Sequence, residues 1–189
     1  MKLSKRGEYG LRAMIDLAIA QELGRDLIQL KELSENEKIP RKFLEQILTL
    51  LRQGKFVETA RGKYGGHRLA RKADQIFIGQ LVRHLDGPLA PINCVSQTAY
   101  ERCSCPDEAH CGLRMLMLDV RNAIANILDR YTLADVVKVT LRKMRSSNFQ
   151  VPFSLAAPAS GINTTPQSKV KTRAPGEVGL EEFFYRDGI

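Results

Sequence analysis

The chain has 189 residues, 43% of them hydrophobic, and a formal net charge of +8. That length holds one ordinary domain, or a small domain with an association element and a tail. No stretch reaches the ~18 consecutive apolar residues of a membrane span, and the opening Met1-Lys-Leu-Ser-Lys-Arg lacks a signal-peptide core, so a cytosolic protein with no membrane partner is expected.

The charge is local. From Lys38 to Lys72, ten Lys and Arg stand against Glu45 and Glu58, a net of +8, so the rest of the chain sums to zero. A basic stretch of this kind is the footprint of a nucleic-acid binder, unless it is merely a solvated face.

In chain order, Leu11, Met14, Ile15 and Ala18 recur at helical spacing and predict a first helix from Ser4 to Glu22, ended by Gly24. A short second helix covers Leu30 to Asn36. Pro40 sits in the first turn of a third helix that reaches Gln53. Leu44, Ile47, Leu48 and Leu51 form its buried stripe. Lys42, Glu45, Thr49 and Arg52 lie on the opposite face, flanked by Arg41 and Gln46. Gly54 stops the helix, and strands over 55–60 and 67–70 flank the turn Arg61-Gly-Lys-Tyr-Gly-Gly. Three short helices and a basic hairpin make a winged helix-turn-helix, whose third helix enters the major groove of double-stranded DNA. Lys42, Arg52 and Lys63 are expected to clamp phosphates, giving affinity without sequence choice.

A fourth helix, Ile78 to Asp86, leads into a loop. Next comes a long helix from Cys111 to Arg130, with Leu113, Leu116, Met117, Val120, Ile124, Ile127, Leu128 and Tyr131 on one stripe that Met115 and Leu118 widen. This is more apolar surface than one small domain covers, so the helix is read as a dimerisation element. Thr132-Leu-Ala-Asp135 is a capping-box start for a last helix to Arg145. The expected fold is therefore mostly α with a small β-hairpin wing. Its parts are a winged helix-turn-helix domain over 1–86, a cysteine-containing sensor loop over 87–110, dimerisation and C-terminal helices over 111–145, and a polar linker and tail over 146–189.

All four cysteines, Cys94, Cys103, Cys105 and Cys111, fall within eighteen residues. In a reducing compartment such a cluster points to metal or redox chemistry rather than a disulfide framework. Thiolates ligate iron–sulfur clusters. A metal-free thiol switch near Arg102 or Arg114 is the next reading. Zinc follows, because its sites favour Cys-x₂₋₄-Cys spacing and Cys103-Ser-Cys105 does not provide it. An iron–sulfur enzyme would need a substrate pocket with acid, base or cofactor groups, and the chain offers no phosphate loop or nucleophile motif. No catalytic residue is assigned.

The opening fourteen residues, Phe43-Leu-Glu-Gln-Ile-Leu, and Arg61-Gly-Lys-Tyr-Gly-Gly together resemble the Rrf-type winged helix-turn-helix transcriptional regulators, the family of IscR, NsrR, RirA and CymR. Leu85-Asp-Gly-Pro-Leu-Ala-Pro is similar to its CymR branch in particular. The resemblance covers residues 1–145. It implies a homodimer, acting as a repressor, that reads a pseudo-palindromic operator. It places Glu45 and Gln46 at base-reading positions and Arg61 at the wing arginine. A carboxylate accepts from cytosine N4, an amide pairs with adenine, and an arginine suits a narrow minor groove.

In the cluster-binding branches three cysteines sit in this loop, the last two separated by five residues. Cys105 and Cys111 match that spacing, and Cys94 is then the first ligand of a [2Fe-2S] or [4Fe-4S] cluster. Ten residues separate Cys94 from Cys105, a longer gap than the family's. Cys103 is extra, a replacement for Cys105 or a fourth ligand. Glu8 matches an acidic ligand donated by the other subunit in some members, and His110 is a second candidate; the bland alternatives are a Glu8–Arg12 pair and a solvated His110. The closing Asp187-Gly188-Ile189 resembles the C-terminus of serine acetyltransferases. That likeness implies cysteine synthase as a partner, reached over a linker that spans about 30 Å as a random coil, and cysteine status as the signal.

Overall fold

The structure, a computed structural model, describes residues 2–147, 149 and 151–153. Six α-helices run in the order α1 (Lys5–Glu22), α2 (Leu30–Glu37), α3 (Arg41–Gln53), α4 (Ile78–Asp86), α5 (Gly112–Arg130) and α6 (Leu133–Ser146), with strands β1 (Val57–Ala60) and β2 (Gly66–Leu69) between α3 and α4. Among the described residues no helix is long and apolar enough to cross a membrane.

The centre is α1. Its N-cap Ser4 accepts a hydrogen bond from the Gly7 amide and donates its own amide and hydroxyl to the Asp86 carboxylate, at 2.8 and 2.5 Å. α4 crosses α1 closely because Gly7 and Gly10 have no side chain: a Cβ at Gly10 would lie 2.6 Å from Leu85. Behind this crossing Ala13, Met14 and Leu17 pack with Ile28, Leu33, Leu44, Ile47, Leu48, Leu51, Leu81 and Leu85 in one core. Burial of such side chains contributes about 1.5–3 kcal/mol each.

The helix-turn-helix depends on three consecutive residues. Lys38 ends α2 in the left-handed conformation (φ 54°), Ile39 is buried, and Pro40 is the N-cap of α3. Pro40 thus stands one position before the helix, and its missing N–H is one that a helix start leaves unpaired anyway. The wing is antiparallel, with Val57 opposite Leu69 and Thr59 opposite His67. Ile28 pairs its backbone with His67 (3.0 and 2.8 Å), which adds a one-residue third strand and fastens the wing to the segment before α2.

The capping box at Thr132 and Asp135 is formed. Backbone bonds from Ile78 to Tyr131 and from Leu133 to Ile76 join the starts of α4 and α6. Leu133, Val137 and Leu141 then return α6 to the core against α1. Past α6, Phe153 is buried and packs with the same core, so the chain stays in contact with the domain beyond the point where polar composition sets in. Asp187, Gly188 and Ile189 lie outside the described residues.

α5 differs from the other helices. Arg121 is its one buried residue. Leu113, Met115, Leu116, Val120 and Ile127 are exposed, Met115 by 63%, while Met117, Ile124 and Leu128 are half-buried. The widened stripe divides into two faces, one turned to the domain and one left uncovered.

Candidate DNA interface and cysteine loop

Apolar burial along one side of α3 fixes what the other side presents. With Leu44, Ile47, Leu48 and Leu51 inside, Arg41, Lys42, Glu45, Gln46, Thr49 and Arg52 are all exposed. Phe43, at the boundary, packs edge-on against Tyr9 with ring centroids 5.8 Å apart. Arg41 reaches back to Glu35 at 3.3 Å. Glu45 has no hydrogen bond to Thr49, and neither it, Lys42 nor Arg52 has an ion-pair partner among the described residues, so these groups stand ready for an external ligand.

The wing tip carries Arg61 and Lys63, both exposed, in a turn closed by the Gly65 amide on the Gly62 carbonyl at 3.0 Å. Gly62 takes φ 108°, which L side chains rarely adopt. Tyr64 beside them is 82% exposed, with the Lys63 ammonium 5.6 Å from its ring. A tyrosine so exposed at a basic tip is a further contact candidate that charge counting passes over. The basic stretch is thinner than its count. Arg68 is held by Asp26 (2.8 Å) and Glu58 (3.0 Å), and half-buried Arg71 lies over Phe56 at 4.8 Å. Between helix and wing, His67 has its pKa pushed down by burial and by the Arg52 charge, with Glu45 opposing, and its Nδ1 lies 3.2 Å from the Thr59 hydroxyl.

The four cysteines lie in sequence order as electrostatic neighbours, Cys94 sensing Cys103, Cys103 sensing Cys105 and Cys105 sensing Cys111. Cys94 is buried, whereas the other three are half-exposed. Hydrogen bonds from Cys105 and Cys94 hold the Cys103 thiol below its ordinary range, while Cys105, facing that sulfur, is pushed up to about 11. Burial and the Cys103 sulfur raise Cys94. Cys111 is the N-cap of α5, its sulfur accepting from the Arg114 amide at 3.4 Å, so the last thiol sits at the positive end of that helix.

Polar contacts shape the loop. Asn93 bonds Glu101 (2.7 Å), the Tyr100 hydroxyl donates to Glu108 (2.9 Å), and Arg114 reaches the same carboxylate (3.2 Å). His110 pairs with Asp107 at 2.7 Å and is otherwise solvated; Glu8 pairs with Lys5 (2.8 Å) and Arg12 (3.7 Å). In this chain neither is gathered to the thiols. Among the described residues no three His, Cys, Asp or Glu side chains converge closely enough to hold a metal ion. Neither a zinc ion nor a cluster therefore finds a converged donor set in this arrangement. The donor chemistry, four thiols in one loop, is that of a cluster ligand set.

Neighbouring residues of α4 connect the two regions. Arg83 binds Asp129 of α5 through two hydrogen bonds of 2.7 and 2.6 Å. His84 places Nε2 2.8 Å from the Leu50 carbonyl in the last turns of α3 and packs on Phe56. Sequence reading also passed over Asp16, an acid on the inner side of α1. It is 3% exposed, accepts from Asn36 at 2.7 Å, and is raised to about 7 by burial and by the nearby Glu37 charge.

Residues 3–139 match the model of the Rrf2 family, described as iron-dependent transcriptional regulator. A putative rrf2-like regulator of the helix-turn-helix type from Rhodobacter capsulatus is 35% identical over 139 residues, 71% of this chain and 91% of its own length. The solved structure of CymR, the global cysteine regulator of B. subtilis, superposes with a TM-score of 0.61 at 32% identity, covering 74% of this chain and 98% of that one. IscR of T. potens gives 0.58 at 30% identity, over 74% and 88%.

Proposed function

The chain belongs to the Rrf2 family of transcriptional regulators, and on that ground we propose that it is a cytosolic homodimeric repressor whose operator affinity is set at its cysteine loop. DNA-binding regulation, rather than catalysis, is what its relatives have in common. The observation that carries the DNA reading is the α3 face, where Lys42, Glu45, Gln46, Thr49 and Arg52 are exposed on a helix whose other side is core. Glu45 and Gln46 read base edges, Arg61 enters the minor groove, and Lys42, Arg52 and Lys63 with Arg41 and Thr49 hold phosphates. The uncovered face of α5, with Leu113, Leu116, Val120 and Ile127, is the dimer surface. It places two α3 helices on successive major-groove faces about one turn apart.

The sensor is the thiol loop. Cys94, Cys105 and Cys111, with Cys103 as a fourth donor, would hold an iron–sulfur cluster, with Glu8 of the second subunit or His110 as the alternative outside ligand, and it would supply redox chemistry to the loop. Cys94 and Cys111 anchor opposite ends of the loop, so a change in what joins them shifts α5. Arg83 and His84 carry that shift through α4 to the end of α3. This is the two-state element that a switch requires.

A second reading is favoured by the thiol contacts themselves. Cys94, Cys103 and Cys105 shift one another's pKa values, as a metal-free thiol switch would need, and the similar CymR of B. subtilis is the global cysteine regulator of that organism. The tail residues Asp187, Gly188 and Ile189, outside the described region, would there dock to cysteine synthase.

Anaerobic purification followed by the visible spectrum and iron and sulfide analysis separates the two. Broad absorbance near 400 nm with matching iron and sulfide supports the cluster. A colourless dimer that binds DNA and loses affinity on thiol oxidation supports the thiol switch and ends the cluster reading.

A further inference from the structure

Arg121 is out of keeping with its place. It lies on the domain side of α5 beneath the loop segment 96–98, with 9% of its surface exposed, and its Nε is buried with no hydrogen-bond partner. No hydrogen bond or ion pair reaches its guanidinium from any described residue. A guanidinium does not deprotonate in proteins, so this charge cannot be relieved by neutralisation. The buried Nε–H is thus a donor left without an acceptor, which a fold carries only at a cost.

A cavity of about 20 Å³ lies beside it, lined on its polar side by Arg83, Ser96, Gln97, Thr98 and Arg121. No Asp or Glu lines it. Arg83 is already committed to Asp129. The Ser96 oxygen accepts from the Ala99 amide at 3.0 Å, which leaves its hydroxyl proton to donate. Arg83, Arg121, Ser96, Thr98 and the Gln97 amide can each offer a proton, and of these the Arg121 Nε–H is buried without a partner. The volume admits one water-sized atom. An anion would both fill the space and accept from the Arg121 Nε–H.

We propose that Arg121, Ser96 and Thr98 form a binding site for a small anion, either a halide or one oxygen of a carboxylate. The occupant ties the segment two to four residues past Cys94 to the middle of α5. The site uses none of the thiols, so it stands whichever sensor chemistry operates.

The test uses the full chain, with sodium chloride or sodium acetate exchanged against the sodium salt of a bulky sulfonate buffer at constant ionic strength. Chloride-35 line widths and thermal unfolding are both followed. One of the two anions is expected to raise Tm saturably, by roughly 3–5 °C at ten times its dissociation constant. Arg121→Met abolishes the response and Ser96→Ala weakens it. Saturable chloride broadening that Arg121→Met removes identifies the halide. A response to acetate alone, without broadening, identifies the carboxylate. Arg121→Met keeps its fold, since an apolar replacement removes an unpaired charge; should it fail to fold, Ser96→Ala and the wild-type line widths decide. No saturable response in the wild type, or the same response in Arg121→Met, overturns the proposal.

Discussion

Arg83 and Asp129 face each other across the α4–α5 junction with two parallel hydrogen bonds, the fork-to-fork geometry in which arginine and carboxylate pair best. The bond raises the Arg83 pKa and lowers that of Asp129. Both side chains are a third or more exposed, 33% and 44%, so solvent screening limits the pair to about 1 kcal/mol of stability. With the carboxylate depressed, that contribution is present above its unfolded pKa and is lost as pH falls through the lower folded value. Asp129→Asn should therefore cost little stability near neutral pH and nothing in strong acid. Its larger effect is on coupling: the change in operator affinity between sensor states should shrink several-fold, while affinity in the tight-binding state stays within about threefold of wild type. Operator titrations in both states read this directly.

Base reading and phosphate holding separate by mutation. Glu45→Ala should relax sequence choice at one position per half-site, by about 1–3 kcal/mol of lost discrimination, with little change in total affinity. Lys63→Ala should weaken all DNA alike and reduce the salt slope by about one. Fluorescence anisotropy against operator variants at several salt concentrations measures both. Unchanged discrimination in Glu45→Ala removes α3 from the reading role.

The uncovered face of α5 predicts the response to charge. At the proposed dimer contact Leu116→Glu would bury a carboxylate in both copies, and the dissociation constant should rise at least 100-fold, given about 1.5–3 kcal/mol per apolar side chain lost from burial. Sedimentation and operator binding should fail together while the helical circular dichroism of the domain remains. A dimer undisturbed by Leu116→Glu and Ile127→Asp places the interface elsewhere.

Asp16 gives a pH dependence with a definite sign. Its pKa is raised from an ordinary 3.8 to about 7, so the native state holds a proton that the unfolded chain has released. Stability from this group is full below the unfolded value and declines as pH rises from about 4 to about 7. Asp16→Asn keeps an acceptor for Asn36 and carries no charge. It should be more stable than wild type at pH 8 by on the order of 1 kcal/mol and should lose the decline. Urea midpoints from pH 4 to pH 8 in the two proteins provide the check.

Much of this architecture was written in local pattern. Apolar spacing located α1 and α3, and the Thr132–Asp135 capping box located the start of α6, because caps and periodicity are short-range. The α3 face was legible for the same reason: once four leucine and isoleucine positions are inside, the rest must be outside. Long-range use of side chains was not legible. Arg68 and Arg71 counted as interface charge but serve Asp26, Glu58 and Phe56, partners distant in sequence or on the other strand. The Ile28–His67 bridge is a single residue pair and leaves no alternation to read. Arg121 hid in α5 because a broad apolar stripe on one helix does not say which half faces home. The loop order Cys94–Cys103–Cys105–Cys111 follows the chain, but sequence spacing alone does not say which thiols would converge, and among the described residues no three donors do.

The most direct measurement is selection of bound sequences from a random DNA pool, run anaerobically in parallel with wild type and with Cys94→Ser/Cys105→Ser/Cys111→Ser. Control of operator reading from the loop requires one pseudo-palindrome with half-sites about one turn apart, and an affinity for it that differs between the two proteins by about 5–150-fold. A common motif bound equally by both would show that the cysteine loop does not govern DNA binding, and no common motif at all would contradict sequence reading by α3.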